Sequence, residues 1–266
     1  MHAITDQEFG WFQRFIFEAA GISMAASKKA LVTGRLGKRL QAYQLSTFTD
    51  YLKLLSSGEA PGEVQTAIDL LTTNETYFFR EPKHFEFLRK WAADAPASAH
   101  PLRVWSAASS TGEEAYSIAM VLADVVPGGQ WEVVGTDIST RVLQRAQTGH
   151  FPMERARHIP APYLKRFCLK GQDVHEGTLL VDKRLRRQVK FCHANLDSAL
   201  PSIGMFDVIF LRNVMIYFNG DTKRQIVARV LSLLKPGGYF LIGHSESLND
   251  ISTAVQSMAP SIYRKP

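Results

Sequence analysis

A turn of small residues followed by two carboxylates is the stretch of the chain best suited to binding a ligand. Leu102–Trp105 reads as a buried strand, five small residues follow, and Gly112 opens a helix-period run with Glu113 and Glu114 in its first turn. Small side chains let a ligand approach the backbone, and glycine tolerates a positive φ. Two carboxylates would repel phosphate groups, so this turn favours a ligand with an amine or hydroxyl groups.

A second carboxylate position follows the next predicted strand. Trp131–Gly135 reads as a strand that continues into Thr136 and Asp137, where nucleotide-binding α/β folds hydrogen-bond ribose hydroxyls. The two strand ends together predict an adenosine-type ligand without phosphates, and S-adenosylmethionine fits that description. A purely structural turn also fits, because only one glycine of a G-x-G-x-x-G pattern is present. Asp137 equally suits the N-cap of a helix that starts near Ser139.

Further polar residues fall at the ends of later strands. Asn195 follows the predicted strand 189–193, and Arg212 and Asn213 follow the strand 206–211. Alternating strands and helices predict an α/β fold with a mostly parallel sheet, in which ligands bind beyond the carboxyl ends of the strands. The coincidence of several polar strand ends therefore predicts one site at that edge.

The segment 71–82 interleaves residues that favour caps and turns with three aromatic residues. Asn74 and Thr76 offer hydrogen bonds, and Arg80 offers a rigid, forked cation. These residues suit a lid over a ligand. Packing at a domain junction is the alternative interpretation.

Length and composition indicate a globular protein of one large or two modest domains. The 266 residues are 45% apolar and 21% charged. We find no apolar run of the roughly 18 residues that a membrane span needs and no signal-peptide pattern at the N-terminus. Cys168 and Cys192 form no metal-binding spacing. These features predict a cytoplasmic protein without membrane insertion or bound metal, with a monomer as the default.

The net charge of +6 is concentrated in residues 151–192, which carry ten Lys and Arg residues against four Asp and Glu residues. Nucleic acid, an acidic protein surface and a simply solvated face all suit such a region. A second basic run begins at Lys28, and helical spacing places Arg35 and Arg39 on one face with it, with Lys38 nearby. An acidic partner or a solvated face would suit this second run.

Three regions of different character divide the chain. Residues 1–74 show helical periodicity and predict an all-α N-terminal domain. Residues 75–266 show the α/β rhythm, interrupted by short alternating runs around Gly171 and Gly177. We expect a small inserted antiparallel β-subdomain at about 163–190, either a hairpin or a three-stranded sheet.

Three motifs resemble those of the CheR-type chemoreceptor glutamate methyltransferases. They are 71–80 (LTTNETYFFR), 105–117 (WSAASSTGEEAYS) and 212–218 (RNVMIYF). The resemblance extends over nearly the whole chain and implies a class I methyltransferase domain with a seven-stranded sheet. It further implies that the chain transfers the methyl group of S-adenosylmethionine to receptor glutamates, with S-adenosylhomocysteine as product. The chain has Ala108-Ser109 where many relatives have Gly-Cys, and Ala115 where most have proline.

The resemblance also assigns roles to individual residues. Arg80 and Tyr217 would border the methyl-transfer site, and either Glu113 or Glu114 would contact the amino group of the cofactor's methionine part. The other implied cofactor-binding residues are Asn74, Thr76, Arg80, Ala107, Asp137, Asn195, Leu196, Arg212 and Asn213.

Partners follow from the same resemblance. Lys28, Arg35, Lys38 and Arg39 would dock on the acidic cytoplasmic helices of chemoreceptors, and the β-subdomain would in some relatives hold a receptor C-terminal peptide. A methyltransferase of another protein or of RNA remains an alternative, although residues 151–192 contain few aromatic residues for base stacking. A non-catalytic signalling module that binds S-adenosylmethionine is the other alternative.

Overall fold

The computed structural model describes residues 3–95, 100–126, 128 and 130–266. Its helices are α1 (Asp6–Ala20), α2 (Lys29–Ala42), α3 (Phe48–Ser57), α4 (Glu63–Leu71), α5 (Pro82–Ala93), α6 (Glu113–Val125), α7 (Thr140–Thr148), α8 (Ala161–Phe167), α9 (Lys183–Arg186) and α10 (Gly220–Ser232). Its strands are β1 (Leu102–Ser106), β2 (Trp131–Asp137), β3 (His150–Pro152), β4 (Cys168–Lys170), β5 (Thr178–Val181), β6 (Val189–His193), β7 (Phe206–Leu211), β8 (Leu234–Ile242), β9 (Gln256–Ala259) and β10 (Ile262–Arg264).

Helices α1 to α4 pack into an N-terminal helical unit with a core of its own. Thr5 and Glu8 form a capping box that begins α1, because each side chain hydrogen-bonds the backbone N–H of the other. Phe12, Phe48 and Tyr51 are fully buried at the centre of this core. The predicted helical character of the N-terminal residues is confirmed.

The main sheet has seven strands in the order β6-β2-β1-β7-β8-β10-β9. The five strands from β6 to β8 are mutually parallel, and β10 and β9 are antiparallel to their neighbours. Successive residues of β1 point to opposite faces: Val104 packs with α5 and α6, whereas Trp105 packs with α10. This is the predicted class I methyltransferase architecture, a mostly parallel sheet covered by helices on both faces.

A small antiparallel sheet is inserted between α7 and β6, with strand order β3-β5-β4. Leu179 and Val181 of its central strand β5 are fully buried. The predicted range of 163–190 omits β3, which pairs with β5 through His150, Phe151 and Pro152. A strand of three residues that ends in proline is too short to show the alternation of apolar and polar residues typical of strands. Its pairing with β5 is therefore apparent only in the structure.

Within the described part of the chain, no helix combines the length and apolar character needed to cross a membrane.

Candidate functional site

A cavity of about 310 Å³ lies at the carboxyl ends of the parallel strands, where the N-terminal helical unit meets the sheet. Open α/β sheets bind ligands at this edge. The sequence-predicted residues that line it are Asn74, Thr76, Arg80, Ala107, Glu114, Asp137, Asn195, Leu196, Arg212, Asn213 and Tyr217.

The β1–α6 turn lets the chain pass close to the cavity. Gly112 has a φ of +97°, and a Cβ there would lie 2.9 Å from Ala146 Cβ, so only glycine fits without rearrangement. Ser110 also adopts a positive φ, and its hydroxyl donates to Asn74 O at 2.9 Å. That hydrogen bond joins the turn to the segment 71–82, in which Asn74, Thr76 and Arg80 line the cavity while Phe78 and Phe79 pack into the core.

Asp137 lies at the end of β2 and is almost fully buried. Its two carboxylate oxygens accept hydrogen bonds from Ser110 N and Ser139 N, both at 2.9 Å. Burial nevertheless raises the pKa of Asp137 to about 6, outweighing these bonds. The N-cap of α7 is Ser139 and not Asp137, because the Ser139 hydroxyl accepts from Val142 N.

The structure separates the two neighbouring glutamates of α6. Glu114 lines the cavity, where it accepts hydrogen bonds from Ser106 Oγ at 2.7 Å and from Arg212 Nη1 at 2.8 Å. Glu113 is 1% exposed and binds Thr111 Oγ1 and Arg155 Nη1 outside the lining of the cavity. Consecutive helical residues point about 100° apart, so one of them faces the cavity and the other does not.

Arg212 is the central ionic group of the site. Its Nη1 binds Glu114, and its Nη2 donates to Glu81 Oε2 at 2.9 Å and to the carbonyl oxygen of Arg80. The guanidinium group lies over the rings of Phe85 and Phe210. It is almost fully buried, and its Nε has no hydrogen-bond partner. The segment that carries Arg80 is thus tied to the end of β7.

Glu81 supports the site from outside the cavity lining, and the sequence-based prediction missed it. It has a φ of +58°, and besides Arg212 it accepts hydrogen bonds from Asn213 Nδ2 and His244 N. These contacts, of which the Arg212 charge is the strongest, hold the pKa of Glu81 down at about 2 in spite of its burial. The only indication of this role in the sequence is that Glu81 directly follows Arg80 of the aromatic motif.

Arg80 and Tyr217 line the cavity from two segments that are far apart in the sequence. Arg80 Nη1 donates to Glu75 O at 3.1 Å, and its guanidinium carbon lies 5.7 Å from the centre of the Tyr77 ring. Burial raises the pKa of Tyr217, and the nearby charge of Arg80 opposes that rise. The two predicted methyl-transfer residues therefore line the same cavity.

The segment between α1 and α2 supplies a wall of the cavity that was not predicted. Ile22 forms an isolated antiparallel bridge with Phe218, and Ser23 N donates to Tyr217 O at 2.8 Å. Asn195 Nδ2 donates to Ala19 O at 2.8 Å, which fixes the end of α1, directly before this segment, beside the end of β6. Because these contacts join residues about 180 to 200 positions apart, no local pattern could have revealed them.

The four predicted docking residues have two different environments. Lys28 and Lys38 are exposed, and Lys28 also borders the cavity. Arg35 Nη1 donates to Leu70 O and Thr72 O, and Arg39 binds the buried carboxylate of Glu63 through two hydrogen bonds. Arg35, Lys38 and Arg39 lie on α2 and Lys28 directly precedes it, but the two arginines make hydrogen bonds within the chain.

The lining as a whole suits a ligand with both cationic and hydroxyl groups. Glu114 and Asp137 offer carboxylate acceptors, while Ala107 and Leu196 supply apolar surface. Arg80 and Arg212 can balance a carboxylate. An aminocarboxylate joined to a nucleoside has this combination of groups.

Comparison with known proteins agrees with this geometry. The model of the CheR methyltransferase SAM-binding domain matches residues 74–263, and the model of the CheR methyltransferase all-alpha domain matches residues 7–72. The chain belongs to the CheR methyltransferase family. It is therefore an S-adenosylmethionine-dependent methyltransferase.

Curated members of the family match over nearly their full lengths. The chain is 40% identical to the chemotaxis protein methyltransferase of Escherichia coli (strain K12), covering 98% of this chain and 91% of that protein. It is 41% identical to chemotaxis protein methyltransferase 2 of Pseudomonas aeruginosa, covering 97% and 93%. The chemotaxis protein methyltransferase of Borreliella burgdorferi is 33% identical, with coverage of 98% and 95%.

Proposed function

We propose that this CheR-family protein methylates glutamate side chains of chemoreceptors, using S-adenosylmethionine as the methyl donor. The single observation that carries the proposal is the cavity in which Arg80 and Tyr217 meet the predicted cofactor-binding residues Glu114, Asp137 and Asn195. The names of the curated relatives supply the connection with chemotaxis.

The residues divide into a cofactor-binding group and a methyl-transfer group. Asp137 accepts the ribose hydroxyls, and Glu114 binds the amino group of the methionine part. Arg212 orients Glu114 through their 2.8 Å contact. Asn74, Thr76, Ala107, Asn195, Leu196 and Asn213 complete the cofactor pocket.

The chemistry requires orientation more than proton transfer. A glutamate side chain has an ordinary pKa of about 4.3, so it is already a carboxylate at neutral pH. One carboxylate oxygen forms a bond to the methyl carbon while the carbon–sulfur bond breaks, and its electron pair returns to sulfur to give S-adenosylhomocysteine. No proton is removed, so no general base is required, and the electrophilic sulfonium methyl group requires no metal ion for its activation. Orientation of this kind supplies roughly 7–11 kcal/mol of barrier reduction in favourable cases.

Arg80 holds the incoming carboxylate, and Tyr217 shapes its approach. The guanidinium group presents parallel N–H donors to a carboxylate. In Arg80→Ala we expect kcat to fall by about 100-fold, with a smaller loss of S-adenosylhomocysteine affinity because Arg80 also lines the predicted cofactor pocket. Full turnover of Arg80→Ala at saturating substrate would show that this role is wrong.

The direct test supplies methyl-labelled S-adenosylmethionine and membranes that contain chemoreceptors of the same organism. Carboxyl methyl esters are labile to base, so alkali should release labelled methanol from the receptor band. Binding of S-adenosylhomocysteine is measured in parallel on the same preparation. Cofactor binding without base-labile label would favour the alternative of another protein or RNA substrate, and binding without any transfer would favour the sensor alternative.

A further inference from the structure

Glu81, His84 and His244 bring three metal-ligating atoms together beside the cavity. Glu81 Oε2 lies 3.4 Å from His84 Nδ1 and 3.9 Å from His244 Nε2, and all three atoms lie within 4.8 Å of one another. Glu81 and His84 come from the start of α5, and His244 follows β8. Among the described residues that line the cavity, none of these three appears.

The hydrogen bonds of His84 direct a nitrogen lone pair into this group. The ring is 0% exposed, and its Nε2 lies 2.9 Å from Ser261 Oγ. Ser261 Oγ donates its proton to Pro260 O at 2.7 Å, so it accepts the proton of Nε2. Nδ1 then carries no proton in the neutral ring, makes no hydrogen bond and faces the Glu81 carboxylate.

A divalent ion would satisfy this arrangement of donors. Two lone pairs 3.4 Å apart repel each other, whereas a cation between them attracts both. Histidine ligands of metals usually donate their second ring N–H to a neighbouring acceptor, as His84 does to Ser261. Ligating carboxylates likewise carry further hydrogen bonds, which Asn213 Nδ2 and His244 N supply to Glu81.

The separations are close to those of a tetrahedral zinc site. Bonds of about 2.0–2.1 Å at tetrahedral angles place ligand atoms roughly 3.3–3.5 Å apart. The Glu81–His84 pair already has that spacing, and the half-exposed His244 ring must move closer to both, since the three atoms now lie within 4.8 Å of one another. The geometry points to a binding site for a divalent ion of the zinc class, with two histidines and one carboxylate as ligands and a fourth position open to solvent.

The neighbouring arginine does not cancel the negative charge of the group. Arg212 donates to Glu81 Oε2, but its other amino group is paired with Glu114 at 2.8 Å. Two carboxylates and one guanidinium leave a formal charge of −1 to receive the ion. The ion would lie outside the cavity lining and take no part in methyl transfer.

The test titrates the full-length, metal-stripped protein with Zn²⁺ in competition with a chromophoric chelator, and records the absorption spectrum with Co²⁺. We expect one Zn²⁺ per chain and a Co²⁺ spectrum typical of tetrahedral coordination. His244→Ala should weaken binding by at least about tenfold and remove that spectrum. His175→Ala, which deletes another exposed histidine, should bind like the unaltered protein.

Circular dichroism separates a loss of folding from a loss of Zn²⁺ binding. His84→Asn replaces a buried side chain and can therefore disturb the fold, whereas His244→Ala replaces a half-exposed one. Equal Zn²⁺ binding by His244→Ala and the unaltered protein would overturn the proposal. Loss of binding in His175→Ala alone would also overturn it and would assign the ion to the small β-subdomain.

Discussion

Two clusters in this molecule pair an arginine with glutamates that are buried or partly buried, and they differ in how completely their hydrogen bonds are made. In the helical unit, Glu63 accepts two hydrogen bonds from Arg39 and one each from Tyr43 Oη and Tyr51 Oη. At the sheet, Arg212 contacts Glu114 and Glu81 but leaves its Nε without a partner. Both clusters are compact, and both bury charge.

The two clusters also differ in their position relative to the cavity, which indicates where buried charge serves stability and where it serves binding. The Glu63 cluster joins α2, α3 and α4, and none of its members borders the cavity in the part of the chain that is described. The Arg212 cluster faces the cavity through Arg212 and Glu114. A fully satisfied buried network rigidifies a core. We therefore expect the Glu63 cluster to serve stability, and the Arg212 cluster, which reaches the cavity, to serve binding.

The largest expected effect separates the two clusters directly. Arg212→Met leaves Glu81 and Glu114 buried without their counter-charge, which we expect to cost about 3–5 kcal/mol of unfolding free energy. It should also weaken S-adenosylhomocysteine binding by more than about 100-fold. Arg39→Met should lose about 2–4 kcal/mol because Tyr43 and Tyr51 still bind Glu63. Its cofactor affinity should stay within about twofold.

Chemical denaturation and calorimetric binding measure both quantities on the same samples. Arg212→Lys keeps a positive charge and provides a readable variant if Arg212→Met does not fold. A large loss of cofactor affinity in Arg39→Met would contradict the division into a structural and a binding cluster.

The next effect tests which glutamate of α6 serves the cofactor. Glu114→Gln removes a charged acceptor from the cavity, and a hydrogen bond to a charged group contributes about 1.5–3 kcal/mol, so affinity should fall by about 10- to 100-fold. Glu113→Gln should leave the affinity nearly unchanged, because Glu113 binds Thr111 and Arg155 outside the lining. Isothermal titration with S-adenosylhomocysteine measures both. Equal losses in the two variants would refute the assignment to Glu114.

Much of this site was predictable because it follows strand ends. Asp137, Asn195 and Arg212 each come one or two residues after a predicted strand, and parallel strands bring such ends to one edge. The choice between Glu113 and Glu114 requires the rotation of α6 about its axis, which two adjacent carboxylates do not reveal.

Long-range contacts set the limit of prediction elsewhere. Arg35 binds backbone carbonyl oxygens at Leu70 and Thr72, and any residue type supplies such a carbonyl, so the sequence carries no signal for this contact. Ile22 reaches Phe218 only in the folded chain. The four residues of β9 are all exposed and therefore show no apolar alternation.

A smaller effect concerns pH and the cofactor. The folded-state pKa of Asp137, about 6, lies above the ordinary value of 3.8, so its ionisation lowers the stability of the ligand-free protein as pH rises through that interval. Ribose hydroxyls donate to the ionised carboxylate, so binding requires loss of that proton below pH 6. S-adenosylhomocysteine affinity should therefore fall by about tenfold between pH 7 and pH 5. The α-amino group of the ligand, with a pKa near 8, stays charged throughout this range.

Titration calorimetry at half-unit pH intervals measures this dependence, and Asp137→Asn is the control. The variant should bind weakly, with an affinity that changes little between pH 5 and pH 7. An affinity of the unaltered protein that is constant over this range would show that Asp137 does not contact the ligand.

The smallest effect concerns receptor docking, where the two environments of the basic residues on and beside α2 lead to different expectations. Lys38→Glu reverses an exposed charge and should raise the KM for receptor about three- to tenfold, with kcat and cofactor affinity unchanged, because such surface charges mainly change the association rate. Lys53→Glu is the matched control, since it reverses an exposed charge on α3 of the same helical unit. Arg39→Glu should instead destabilise the fold, because the new carboxylate would repel that of Glu63.

Added salt should diminish the difference in KM between Lys38→Glu and the unaltered protein. Equal KM values for Lys38→Glu and Lys53→Glu at low salt would place receptor docking on another surface.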